Sequence, residues 1–107
     1  MQCKHFGICG GCVWQDVPYK EQVERKQAKV EAAISALSGT VKNISVKPVL
    51  PSPQEFYYRN KMEFVVSPGP AGNAVIGQRC RTQPQAVVDI EDCLLQSPAS
   101  NKILQVI

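Results

Sequence analysis

The chain has 107 residues, 44% of them hydrophobic and 20% charged, with a formal net charge of +3. That is the length and composition of one small globular domain, and no run of about 18 apolar residues exists to form a membrane-spanning helix. The mild basic excess permits a polyanionic partner without demanding one. Five cysteines cannot complete a disulfide framework, which needs an even number. The first residues lack the basic-then-apolar order of a signal peptide, so the reading is a cytosolic chain with reduced thiols, whose first use is metal ligation.

In chain order, residues 1–15 read as a loop, broken by Gly7, Gly10 and Gly11. Residues 17–38 predict a helix, with Asp16 as N-cap, Pro18 in the first turn and Gly39 as the stop. Tyr19, Val23, Val30, Ile34 and Leu37 form its apolar stripe, and Glu21 and Arg25 pair on the wet face. Residues 43–50 predict a short strand, followed by a loop marked by Pro51 and Pro53.

The segment FYYRNKMEFVV, residues 56–66, alternates. It predicts a half-buried antiparallel strand with Phe56, Tyr58, Asn60, Met62, Phe64 and Val66 on the apolar face. Tyr57, Arg59, Lys61, Glu63 and Val65 fall on the other face. SPGPAGN at 67–73 is a turn-rich connector to a second strand at 74–79, and 86–90 predicts a third. Ser97 and Pro98 predict the N-cap and first position of a last helix with Ile103, Leu104 and Ile107 as its apolar residues. That helix runs to Ile107 without a stop signal, and the expectation is a chain that continues. The predicted fold class is α+β: a small antiparallel sheet of three or four strands, flanked by a long helix, with an N-terminal cysteine-rich loop.

Cys3, Cys9 and Cys12 form a C-x5-C-x2-C constellation. Three thiolates can converge from one short glycine-rich segment. Soft thiolates select zinc or iron–sulfur centres, both of which want four ligands. The fourth candidates are Cys80, Cys93 and His5. Cys93 lies on a loop leaving a strand, where a side chain is freer to reach a distant ligand set, and is preferred over Cys80. Cys80 is read as a small buried side chain. Trp14, the single tryptophan, is expected to pack beside the loop.

CKHFGICGGCVWQ, YKEQVERK, YYRNKMEF, IGQR and VVDIEDCLL, in that order, resemble the SAM-dependent RNA 5-methyluridine methyltransferases. The similarity is nearest to the 23S rRNA uracil-5-methyltransferases and runs from Cys3 to about Leu95. It implies a [4Fe–4S] cluster on Cys3, Cys9, Cys12 and Cys93, with no role for Cys80. It implies RNA as partner, ribosomal RNA before transfer RNA. It also implies a separate SAM-binding domain holding the catalytic nucleophile and base. No glycine-rich SAM loop is present in these residues, and neither is the β-barrel TRAM domain that precedes the cysteine loop in many members. The expectation is therefore a cluster-bearing central domain, 1–107, inactive alone and in intramolecular contact with a methyltransferase domain outside it.

For RNA, the outward face of 56–66 offers Tyr57, Arg59 and Lys61, two cations beside an aromatic ring. Arg79 and Arg81 follow the partner strand and extend the patch, and Lys4 and His5 lie on the cysteine loop. The bland alternative makes Arg59 and Lys61 a solvated strand face with Glu63 as ion-pair partner. A cluster of thiolates carries negative charge, so Lys4, Arg79 or Arg81 can serve the cluster instead. Two rival functions share this pattern: a free-standing small iron–sulfur electron carrier, and a zinc-stabilised RNA-binding module.

Overall fold

The computed structural model describes residues 2–37, 39–40 and 42–107. It divides into two compact units, Asp16–Pro53, and Met1–Gln15 together with Gln54–Ile107.

The 16–53 unit is built on helix α1, Tyr19–Ser35. It is shorter than the sequence predicts at both ends, and Ser38 lies outside the described residues. Its N-cap is Pro18, with extended ψ and no side-chain cap, rather than Asp16. Gln22 Nε2 donates to the Val17 carbonyl at 2.9 Å, tying the first turn to the residue that precedes Pro18. Arg25 Nε donates to Glu21 Oε1 at 3.0 Å, the pair expected from their spacing. None of the α1 residues is fully buried.

Residues 43–50 do not form the predicted strand. Side chains of α1 occupy their backbone groups instead. Gln27 Oε1 accepts from Val49 N–H at 2.8 Å, and its Nε2 donates to the Lys47 carbonyl at 3.3 Å. Tyr19 hydroxyl accepts from Ser52 N–H at 2.7 Å. A segment strapped by helix side chains has its hydrogen bonds satisfied without a sheet.

The other unit holds a three-stranded antiparallel sheet in the order β1 (Val65–Pro68), β2 (Ala74–Arg79), β3 (Val87–Asp89). The β1–β2 hairpin pairs Val65 with Gly77 and Pro68 with Ala74, so the strand runs into the predicted connector and the turn occupies only 69–73. Gln78 faces Val88 and Arg79 faces Val87 across β2 and β3. Gly77 is buried in the middle strand, and a Cβ there would lie 1.7 Å from the Val88 carbonyl oxygen. Only glycine lets the two backbones approach so closely.

The predicted 56–66 strand forms only at its end. Tyr57 has φ 56°, in the left-handed region, which breaks the alternation. Beyond it Arg59 pairs in parallel with Gln96: Tyr57 N–H donates to the Leu94 carbonyl at 2.7 Å and Arg59 N–H to the Leu95 carbonyl at 2.8 Å. Met62 and Phe64 turn inward as expected. The phase then slips, and Val66 is exposed while Val65 is half-buried.

The most buried residues are Ile90, Leu94, Leu95, Gln96 and Asn101. They belong to the run out of β3 and to α2, Pro98–Val106. Ser97 caps α2, its Oγ accepting from Ser100 N–H at 3.1 Å, with Pro98 at the first helical position. The buried residue of α2 is Asn101, whereas Ile103 and Ile107 of the predicted apolar set are exposed.

Candidate metal centre

The cysteine loop is held by backbone bonds that follow from its glycines. Phe6 N–H donates to the Cys3 carbonyl at 3.1 Å, and Cys9 N–H to the His5 carbonyl at 2.9 Å. Gly10 N–H donates to the Arg79 carbonyl at 2.9 Å and Arg81 N–H to the Ile8 carbonyl at 2.8 Å, so Cys9 faces Cys80 in an antiparallel bridge. On its other edge Cys80 N–H donates to the Ala86 carbonyl at 2.9 Å. The loop therefore continues the edge of β2 that β1 occupies nearer the hairpin turn. A Cβ on Gly10 would stand 2.9 Å from the Arg79 carbonyl oxygen, which is why that position is free of side chain.

A second set of contacts ties the loop to the segment carrying Cys93. The Lys4 ammonium pairs with the Glu91 carboxylate, and Glu91 N–H donates to His5 Nε2 at 3.3 Å. His5 thus orients the loop against residue 91 through the nitrogen that would otherwise be free to ligate. Cys93 is itself clamped: its N–H donates to Asn101 Oδ1 at 3.0 Å, and its carbonyl accepts from Asn101 Nδ2 at 3.0 Å. Gln96 Nε2 donates to the same Asn101 oxygen at 2.5 Å. A buried primary amide thereby fixes both peptide groups of one cysteine.

All five cysteines are reduced and half-buried. Burial pushes the Cys9 thiol up; the Gly11 N–H, 3.3 Å from its sulfur, pulls it down, Cys93 and Cys3 raise it, and Arg81 lowers it. Burial likewise pushes up Cys12, which Cys93, Cys9 and Cys3 raise further and Arg59 lowers. For both, Cys93 is the strongest of the charged neighbours. The three loop thiols and the distant Cys93 therefore share one electrostatic neighbourhood. Cys80 is governed locally: hydrogen bonding to the Thr82 side chain and to the Thr82 and Gln83 backbone pulls its thiol down. It is half-exposed at the sheet edge rather than a core residue.

Among the described residues, no group of three His, Cys, Asp or Glu side chains is arranged to hold a single metal ion. Thiolates are the donors that zinc and iron–sulfur centres take, and N–H groups lie beside two of the loop sulfurs: Gly11 N–H is 3.3 Å from Cys9 Sγ and Gln15 Nε2 is 3.9 Å from Cys12 Sγ.

The predicted cations divide. Arg81 belongs to the loop: its guanidinium donates to the Cys12 carbonyl and lies 5.1 Å from the Phe6 ring centroid. Arg79 donates to the Pro84 carbonyl at 2.9 Å, in the β2–β3 connection. Lys61 is exposed and 3.0 Å from Glu63, the ion pair that the bland reading anticipates. Tyr57 is 37% exposed, and Arg59 presents its charge toward Cys12. Arg59, Asn60, Met62 and Phe64 also form one wall of an open cavity of about 290 Å³, whose other wall includes Gln96 and Ile107. Trp14 is half-buried. Sequence reasoning misses Asn101, Gln96 and Glu91. Asn101 carries no signal beyond its place one turn after the Ser97 cap, and Glu91 only a charge opposite to that of Lys4.

No protein-family profile matches the chain. Among curated proteins, one from Leptospira interrogans, named as an uncharacterized RNA methyltransferase, is 39% identical over 103 residues, covering 95% of this chain and 20% of that protein. One of the same name from Nitratidesulfovibrio vulgaris is 36% identical over 102 residues, 95% of this chain and 21% of its own length. A 23S rRNA (uracil(747)-C(5))-methyltransferase from Pyrococcus horikoshii is 31% identical over 104 residues, 97% of this chain and 22% of its own.

This chain is homologous to a segment of the RNA methyltransferases. It spans about one fifth of the length of the curated relatives it matches. The α+β architecture expected from its sequence is the one observed, with two helices and a three-stranded antiparallel sheet. Among the described residues, no helix of this RNA methyltransferase homologue is long and apolar enough to cross a membrane.

Proposed function

We propose that this chain is the cluster-bearing part of a SAM-dependent RNA uracil-5-methyltransferase of the cytoplasm. In this reading Cys3, Cys9, Cys12 and Cys93 hold a [4Fe–4S] cluster. The observations that support it are the contacts tying the cysteine loop to the segment of Cys93, the Lys4–Glu91 pair and the Glu91 N–H to His5 bond, together with the influence of Cys93 on the Cys9 and Cys12 thiols. Held by those four cysteines, the cluster would cross-link the amino-terminal loop to the segment after β3 and would supply negative charge that Arg81 and Arg59, the cations acting on Cys9 and Cys12, would offset. Closing so long a loop stabilises the fold by restricting the unfolded chain.

The chain's own residues supply binding and positioning. Tyr57, Arg59, Lys61 and Arg79 contact RNA, the Tyr57 ring by stacking and the cations through phosphate. Arg81 is given instead to the cysteine loop. Ribosomal RNA is preferred as substrate, because the Pyrococcus relative is named for 23S rRNA. SAM, the nucleophile and the base are assigned to a separate methyltransferase domain, so this chain alone does not methylate. The cavity between Arg59 and Ile107 is assigned to contact with that domain.

The test is anaerobic purification followed by iron and sulfide analysis. About four of each per chain is expected. Cys93→Ser abolishes loading, and Cys80→Ser retains it. Zinc in place of iron would favour the zinc-stabilised module. A cluster that cycles reversibly by one electron, with no RNA affinity, would favour the electron carrier. Loss of loading in Cys80→Ser alone would move the fourth ligand and overturn the assignment.

A further inference from the structure

The cluster reading leaves one thiol without a task, Cys80, and the fold gives it a specific neighbour. Cys80 and Cys9 are directly opposed residues of an antiparallel bridge. The bonds that join the two segments, Gly10 N–H to the Arg79 carbonyl and Arg81 N–H to the Ile8 carbonyl, flank the pair rather than linking the two cysteines to each other. This is the non-hydrogen-bonded type of pair. Its Cα atoms stand about 4.5 Å apart and its side chains leave on the same face. The Cβ separation of such pairs is about 4.5–5.5 Å, against about 3.5–4.5 Å in a disulfide, so a small side-chain and backbone adjustment closes the gap. Both cysteines are reduced and half-buried, within reach of a small oxidant. Cys80 is in backbone register with Cys9 and with no other cysteine.

We propose that Cys9 and Cys80 form a redox-sensitive disulfide that excludes the metal centre. The inference rests on the reading that Cys9 is a cluster ligand: a loaded cluster occupies its sulfur, and loss of the cluster exposes it. The oxidant is a peroxide. The Cys80 thiolate attacks one peroxide oxygen, the O–O bond breaks, hydroxide leaves, and an S–OH group forms. The Cys9 thiolate then attacks that sulfur, the S–O bond breaks, hydroxide leaves, and the S–S bond forms. Two thiols lose two electrons and two protons, and the peroxide is reduced to two waters. A thiol reductant reverses the step. The disulfide holds the loop on the edge of β2 and withholds one of the four ligands until reducing conditions return.

The experiment uses the full chain freed of iron by a chelator under reducing conditions, then treated with one equivalent of hydrogen peroxide. Non-reducing proteolysis and mass spectrometry are expected to find one dominant cross-linked peptide pair, Cys9 with Cys80. The oxidised chain takes up less than about a tenth of the iron and sulfide taken up by the reduced chain, and a thiol reductant restores it. Cys80→Ser treated in parallel lacks that peptide pair and retains most of its uptake. A dominant Cys9–Cys12 or Cys3–Cys9 disulfide would overturn the proposal, as would Cys80 oxidised without a partner. The two readings fail separately. A Cys9–Cys80 disulfide in a chain that never binds iron removes the cluster alone, whereas normal iron loading without this disulfide removes the switch alone.

Discussion

Asn101 offers the sharpest perturbation of the site, because it touches no proposed ligand sulfur and yet determines where Cys93 sits. Replacing it with alanine removes three hydrogen bonds: from Cys93 N–H, to the Cys93 carbonyl, and from Gln96 Nε2. Gln96 is 2% exposed, so water cannot replace its lost partner, and a buried unsatisfied donor costs about 1–3 kcal/mol. The Cys93 groups are half-buried and recover part of their bonding from solvent, losing about 0.5 kcal/mol each. The sum is about 2–4 kcal/mol, borne locally by the run 93–101. Amide hydrogen exchange of that segment is therefore expected to quicken about 30- to 1,000-fold, while the β1–β2 hairpin changes little. Cluster loading falls with it. Asn101→Asp keeps the acceptor for Cys93 N–H and Gln96 but sets a carboxylate oxygen against the Cys93 carbonyl, so it is expected to be no better. Unchanged exchange in Asn101→Ala would refute the reasoning, since it would mean that the amide does not hold Cys93 in solution.

Arg81→Gln removes the charge beside the thiols and the guanidinium contacts with Cys12 and Phe6, whereas Arg81→Lys keeps the charge alone. Loop anchoring weakens by about 1–2 kcal/mol in both, read as faster iron release, but only the glutamine variant lowers the cluster's reduction potential; equal potentials would place the arginine outside the centre's field. A pH dependence follows from Glu91, which hydrogen bonding and charge from Lys4 hold below the ordinary carboxylate range. A depressed folded value contributes stability that is present above the unfolded pKa and lost as pH falls through the folded one, so the tie between the loop and residue 91 opens only in acid, below the ordinary glutamate range. Exchange at Glu91 N–H followed against pH checks it, and Lys4→Met, which removes the pair, is expected to abolish that acid dependence.

Much of the site was legible locally. Three cysteines within twelve residues, spaced by glycines, mark a candidate thiolate centre without any knowledge of the fold, because chain connectivity alone keeps them close. The Glu21–Arg25 pair, the Ser97–Pro98 cap and the β1–β2 hairpin were legible for the same reason: each is a contact between residues close in sequence. The failures are equally physical. The 56–66 alternation gave no sign of the left-handed Tyr57 or of the parallel run beside Leu94 and Leu95, since those depend on a partner far along the chain. Residues 43–50 have strand composition, but Gln27 of α1 takes their backbone bonds.

The sequence by itself determined the kind of chemistry on offer, soft thiols in a glycine-rich loop with a surplus of cations, because side-chain identity and short-range spacing fix which atoms can be donors. Only the tertiary structure decided which distant groups complete it. It clamped the Cys93 backbone on the Asn101 amide, set Cys80 opposite Cys9, and committed Arg81 to the loop. Those outcomes rest on hydrogen bonds between residues from eight to about seventy positions apart, and such bonds exist only once the backbone has chosen its neighbours.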